Sequence, residues 1–194
     1  GRAYPRSTVT LLKDAQVAAS TVAGANAMFE ISLTNLSGGN YNFSIYGEDK
    51  DGRRSSLQSF PVGVTSGATT NVTGIFIAPT IGTDKSEVRR GDNIAILGQS
   101  APQADIIISV NSEEEFFAKT ISDKDGVYLY NFDTTILEYG SHSARSKSSI
   151  GNQSVSSFSP SANFKVGDKN VAAGKIVKVR KGDLNNDGKV NLVD

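Results

Sequence analysis

Phe29-Glu30-Ile31-Ser32-Leu33, then Ser37-Gly38-Gly39, then Tyr41-Asn42-Phe43-Ser44-Ile45 is the stretch that decides the fold. In both outer runs an apolar side chain falls at every second position. That is the period of a strand with one buried face, not the 3.6-residue period of a helix. The Ser-Gly-Gly break between them supplies the conformational freedom of a chain reversal. Two such strands in succession read as part of an antiparallel sheet with one face turned to a core.

Outward from this pair the same texture continues. Thr8 to Leu12, Gln16 to Val22, Leu57 to Val64 and Thr69 to Ile77 each suit a strand, and Asp51-Gly52 marks the reversal between Tyr46 and Leu57. Nineteen glycines punctuate short β-branched and aromatic runs along the 194 residues, the pattern of a β-sandwich with frequent turns. Helix is expected to be nearly absent.

The second half repeats the plan of the first. Gly1-Arg2-Ala3-Tyr4-Pro5 matches Gly98-Gln99-Ser100-Ala101-Pro102, and Val9 and Leu11 match Ile106 and Ile108 at the same offset. Farther on, Phe29, Ile31 and Leu33 correspond to Tyr128, Tyr130 and Phe132, and Leu36 and Gly39 to Leu137 and Gly140. The boundary is placed at Ala78-Pro79-Thr80, where proline blocks continued sheet pairing. So short a joint implies little freedom between the halves. The halves differ at their starts: Ile81 to Leu97 precedes the second Gly-x-x-x-Pro element, whereas the first begins directly at its own. Residues 1–79 are therefore expected to be a sandwich lacking its first strand or two, with an open edge able to recruit another strand.

Composition narrows the function. Lysine plus arginine equals aspartate plus glutamate at 20 each, so no net field draws the chain to nucleic acid or to an anionic membrane surface. There is no cysteine, which removes disulfides and thiolate metal sites but does not argue against export. No apolar run approaches a membrane span, and Gly1 to Pro5 lacks the regions of a signal peptide, so the chain reads as a mature piece or an internal fragment.

Most polar clusters read as structure. Glu48-Asp49-Lys50-Asp51-Gly52 and Asp123-Lys124-Asp125-Gly126 are taken as tight turns before calcium sites. Arg90-Gly91-Asp92 precedes the apolar run Ile94 to Leu97, where a turn is expected in any case, so it is not read as an adhesion tripeptide. His142, the single histidine, corresponds to Tyr41 and is read as structural, which leaves no zinc or triad chemistry. Glu113, Glu114 and Glu115 are consecutive and do not converge on one glycosidic bond. With no tryptophan, and with Tyr41, Tyr128 and Tyr130 at strand positions, a carbohydrate platform is a minor alternative. Lys169 to Lys181 reads as a semi-extended linker.

The exception is Gly182-Asp183-Leu184-Asn185-Asn186-Asp187-Gly188-Lys189-Val190-Asn191-Leu192-Val193-Asp194. Asp183, Asn185 and Asp187 fall at positions one, three and five of an EF-hand loop, and Gly188 at six makes its sharp turn. Lys189 offers a backbone carbonyl at seven, Asn191 a direct or water-bridged oxygen at nine, and Asp194 the closing carboxylate at twelve. Calcium needs this kind of hard-oxygen set.

These residues resemble the opening of a type I dockerin, whose loops close on Asp. The resemblance implies Ca2+ as cofactor and a cohesin-type domain as partner of a complete dockerin, although this fragment stops before the helix that would carry the binding surface. Val9-Thr10-Leu11-Leu12-Lys13-Asp14, Gly39 to Phe43 and Gly47 to Arg53 resemble bacterial surface domains of the carboxypeptidase-regulatory or Cna-B type, which are transthyretin-like sandwiches. Cna-B domains sometimes crosslink a strand lysine to an asparagine; Lys13 is the candidate here, without an identifiable partner. Gly91-Asp92, Gly98-x-x-x-Pro102, Ser122 to Tyr128 and Leu137-x-x-Gly140 look like bacterial Ig-like repeats of large secreted proteins.

The expectation is thus an all-β chain of two tandem Ig-like or transthyretin-like β-sandwiches (1–79 and 80–167), a linker (168–181), and a truncated EF-hand-like calcium loop (182–194). It implies a non-catalytic spacer of an extracellular, secreted or cell-surface bacterial protein that binds neither nucleic acid nor membrane. A self-assembling fibre, built by self-association through the open edge of domain one, is the alternative.

Overall fold

The computed structural model describes residues 1–151 and 154–174. In chain order its strands are β1 (Thr8–Lys13), β2 (Gln16–Val22), β3 (Gly39–Glu48), β4 (Gln58–Val64), β5 (Gly82–Thr83), β6 (Lys85–Arg89), β7 (Asn93–Gln99), β8 (Asp105–Asn111), β9 (Glu115–Ile121), β10 (Val127–Asp133), β11 (Gly140–Ile150), β12 (Ser154–Val155), β13 (Ala162–Gly167) and β14 (Val171–Ala172). Among the described residues the only helical element is a 3-10 turn at Thr134–Ile136.

The first unit is built on one antiparallel sheet, in the order β2-β1-β3-β4. Asp14 and Ala15 both adopt left-handed backbone (φ 50° and 65°), which matches the strand twist and closes the β1–β2 hairpin in two residues. Alternation does the rest: Val9 and Leu11 of β1 and Phe43 and Ile45 of β3 turn to one buried face. The Phe43 and Phe60 rings stack across β3 and β4 at 6.4 Å. β2 is an exposed edge, with Val17 and Val22 largely in solvent.

The cover over this buried face differs from expectation. Met28 to Leu33 and Thr69 to Ile77 run over it without forming strands of a second sheet. Their pairing is limited to isolated bridges, Arg2 with Met28 (antiparallel) and Arg2 with Phe76 (parallel). Gly1 to Ala3 is the backbone lying between the two segments, and a ladder cannot extend beyond the strand that joins them.

The second unit has two full layers. β10-β7-β5 is one sheet; the other has the order β14-β6-β13-β11-β8-β9, with β12 on β11. Its pairs are antiparallel except β6 with β13. Ile94 and Ile96 of β7, Ile106, Ile108 and Val110 of β8, and Tyr128 and Phe132 of β10 fill the space between layers in an Ig-like manner. The whole described chain is all-β, with antiparallel sheets forming tandem Ig-like units.

The internal repeat reaches the backbone. Arg6 and Gln103, each following the proline of a Gly-x-x-x-Pro element, are both left-handed (φ 58° and 51°). β1, flanked by β2 and β3, corresponds to β8, flanked by β9 and β11. Tyr41 donates its hydroxyl hydrogen bond to Ser37 O, and His142 Nε2 donates to Glu138 O, each four residues back at 2.9 Å. His142 is buried and packs on Phe164, the structural role its position implied.

Val171–Ala172 departs from the expected linker by pairing with β6, the open edge of the larger sheet. Asn170 reinforces this by accepting the Arg89 N–H at 3.0 Å and donating to Asp92 at 2.6 Å, and Ala173 N–H donates to Asp84 O. An edge strand with free backbone groups takes the next available chain. Residues 175–181 of that linker lie outside the described residues.

Candidate functional site: the joint between the units

The two units meet around Ala78-Pro79-Thr80, which is fully enclosed. The enclosure begins with the turn after β3. Asp49 accepts the N–H groups of Asp51 (2.9 Å) and Arg53 (2.8 Å), and Gly52 takes the positive φ (85°) that lets the chain reverse. Asp123 makes the same turn in the second unit, accepting from Asp125 and Val127 N–H, with Gly126 at φ 77°. Both acidic stretches are therefore turns, as their sequence implied.

Asp49 does more than Asp123. Its carboxylate is completely buried, and it also accepts the Thr80 hydroxyl at 2.7 Å and the Arg53 guanidinium at 3.1 Å. Four donors on one buried carboxylate satisfy its charge, the condition for tolerating it away from water. Arg53 itself lies over the second unit: a Cβ on Gly82 would be 2.9 Å from its Nε. The turn thus reaches across the joint and grips both its hinge residue and its far side.

Thr80 is the centre of this grip. Its N–H donates to Gln99 O and its Oγ1 accepts from Gln99 N–H, both at 2.9 Å, so it pairs like a short strand with the end of β7. Its carbonyl accepts the Tyr128 phenol at 2.6 Å, while the Tyr4 phenol donates to Ala78 O. Burial pushes both phenols up from the ordinary tyrosine value, because an anion there would lose its water. Gly98 has no room for a side chain: a Cβ would strike the Thr80 carbonyl. Elsewhere on the joint Ser56 donates to Phe158 O at 2.7 Å, and Pro5 lies against Gly126. Ala27 and Phe76 of the first unit pack into the second unit's core cluster.

The remaining sequence candidates divide clearly. Asp183, Asn185, Asp187, Lys189, Asn191 and Asp194, the calcium set, lie outside the described residues. Among the described residues no group of three or more His, Asp or Glu is placed to hold a metal, and no helix is long and apolar enough to cross a membrane. Arg90 is engaged internally, donating to Leu137 O at 2.8 Å and Thr135 O at 3.3 Å, and Gly91 makes the turn that follows (φ 93°). Glu115 accepts from Ser109 and closes the β8–β9 hairpin end. Lys13 sits over the Tyr41 ring and beside Asp14. Of the six tyrosines only Tyr139 is exposed. Sequence reading saw Asp49 only as a turn residue. Its second role depends on Thr80, thirty-one positions away, and no local spacing signals that.

No family model and no curated protein matches the chain. Among solved structures it is similar to a tetra-tandem repeat in the extending region of a large adhesion protein, with 19% identity over 85% of this chain and 43% of that one, TM-score 0.39. It is similar to the BSP domain of a biofilm associated protein (16% identity, 84% and 25% covered, TM-score 0.35). A third is the fibronectin(III)-like modules of Clostridium thermocellum CbhA (19% identity, 84% and 79% covered, TM-score 0.33). The chain spans less than half of the first two structures. These overlaps are loose, and the fold described above rests on its own ladders and cores.

Proposed function

We propose that this chain is a non-catalytic, stiff spacer within a larger secreted or cell-surface bacterial protein, holding a C-terminal dockerin-like calcium loop at a set distance and direction. The observation that carries the reading is the joint. A spacer must resist bending between its units, and here the hinge residue Thr80 is buried and bonded on its N–H, carbonyl and hydroxyl at once. Default expectation for two tandem domains is relative motion unless the interface is large and well packed; this joint adds a buried charge pair and a shared core to a connection with no slack.

The calcium part rests on the donor set. Asp183, Asn185, Asp187, the Lys189 carbonyl, Asn191 and Asp194 are all hard oxygen ligands, which suits calcium. Bound calcium would neutralise three carboxylates that otherwise repel one another. A cohesin-type domain is the partner proposed for the complete dockerin.

Residual dipolar couplings on the full chain test the spacer reading. One alignment tensor should fit both units of the wild-type chain, and Asp49→Ala should split it into two. Two tensors in the wild-type chain would refute the stiff spacer.

A further inference from the structure

Under the unpaired face of the first unit runs a groove of about 1140 Å3. One wall is residues 28–33, the other is residues 69–76, and Leu11, Ile45, Phe60 and Val62 form the floor. Phe29, Ile31 and Leu33 are only partly buried there, although they sit at alternate positions of an extended segment. In the second unit β7 occupies the corresponding place beside β10.

The geometry points to a strand-acceptor site: the groove seats one further β-strand, running antiparallel to Phe29–Leu33 and parallel to Val72–Ile75, joined at its C-terminal end to the Gly1 nitrogen. Three observations carry this. First, the start of such a strand is already in place. Arg2 N–H donates to Ile75 O and Arg2 O accepts from Ile77 N–H, both at 2.9 Å, a parallel ladder step, while Phe29 N–H donates to Gly1 O at 3.0 Å on the antiparallel side. The Gly1 nitrogen donates to Phe29 O at 2.9 Å, the bond a ladder amide makes. As an ammonium in that place it is partly desolvated, which holds its pKa below the ordinary amine value; an amide there carries no charge to desolvate.

Second, the second unit displays the completed arrangement in the same register. The bridge Arg2↔Met28 is the counterpart of Gln99↔Val127, where β7 continues for six more pairs to Asn93↔Asp133. The aromatic facing each glycine recurs as well: the Phe29 ring lies against Gly1 as Tyr128 lies against Gly98, leaving no space for a side chain at either. Third, the register fixes what the strand carries. Ile96 and Ile94, two and four residues ahead of Gly98, pair with Tyr130 and Phe132 and are fully buried. Their counterparts, two and four residues ahead of Gly1, fall opposite Ile31 and Leu33. The occupant is therefore an extended segment with branched apolar residues at those two places. Five residues span roughly 17 Å at a strand's rise, the length of the Phe29–Leu33 wall.

This inference is independent of the spacer reading, since residues 30–33 and 72–75 make none of the bonds to Asp49 and Thr80 that hold the joint. The experiment appends Asn-Ile-Ala-Ile-Leu, the sequence of residues 93–97, ahead of Gly1 of the full chain, and in a second variant replaces both isoleucines of that extension by serine. Amide hydrogen exchange is read at residues 30–33 and 72–75, with molar mass by light scattering. The apolar extension is expected to slow exchange in both walls by at least tenfold and leave the chain monomeric, and the serine extension to restore wild-type exchange. Equal exchange in all three chains overturns the proposal. A concentration-dependent polymer of the unextended chain, protected in the same walls, also overturns it by assigning the groove to a second copy. Interdomain alignment is unaffected in either case, so failure here leaves the spacer reading standing.

Discussion

Replacing Asp49 by alanine removes one carboxylate and strands four donors: the N–H groups of Asp51 and Arg53, the Arg53 guanidinium and the Thr80 hydroxyl. Breaking a buried ion pair by deleting one partner costs about 3–5 kcal/mol, because the surviving charge stays desolvated. Arg53 retains Asp51 at 2.8 Å and keeps some contact with water, which argues for the lower part of that range from the pair itself. The lost acceptor for buried N–H and O–H groups adds about 1–3 kcal/mol for each one left without water. An overall loss of about 4 kcal/mol is the expected result. Asp123→Ala is the internal control, since it removes the same two turn bonds from an exposed carboxylate with no arginine and no partner across the joint. Its cost should be about 1 kcal/mol. Urea unfolding of both variants, followed by a probe in each unit, measures the difference. If the two substitutions cost the same, the joint contributes nothing beyond the turn and the reasoning fails.

Alkali should unfold the chain through Tyr4 and Tyr128. Their phenols titrate above the ordinary value of 10.0 in the folded state and near it when unfolded, so stability is intact below pH 10 and falls above it. The slope is about 1.4 kcal/mol per pH unit for each phenol. Tyr128→Phe should halve that slope in pH-dependent urea midpoints, and an unchanged slope would contradict the assignment. Gly98→Ala, which drives a methyl into the Thr80 carbonyl, is expected to cost about 3 kcal/mol or more by calorimetry, against less than about 1 kcal/mol for Gly174→Ala, where a Cβ meets nothing within 4 Å. Calcium added to the full chain should slow amide exchange at 183–194 and leave 1–151 unchanged, with EGTA reversing it; no calcium dependence removes the loop from the proposed function.

Strand identity was legible wherever alternation and a turn residue occurred together. β1, β2, β3 and β4 fall within a few residues of the runs read from sequence, because each carries its own period and its own reversal. Phe29, Ile31 and Leu33 carry the same period without becoming a ladder. Alternation reports which face is apolar, whereas pairing depends on what lies alongside, and only Gly1 to Ala3 does so. The fate of Val171–Ala172 was hidden for a related reason: two residues are too few for a period, and their docking is decided by the free edge of β6. The turn role of Asp49 was visible in Asp51-Gly52, but its grip on Thr80 is a tertiary fact. The one histidine was read correctly because the repeat places it opposite Tyr41.

Ala27 and Phe76 carry a consequence for the order in which this chain comes into being. Both belong to the first half, yet both are buried in a cluster whose other members run from Val88 to Val166. As the polypeptide emerges N-terminus first, its leading half can form the β2-β1-β3-β4 sheet but lacks the cluster that buries these two side chains. The cluster that holds them is complete only once β13, almost ninety residues after Phe76, has been made. Assembly is therefore templated backward, the later-born half acting as the mould on which the earlier one sets.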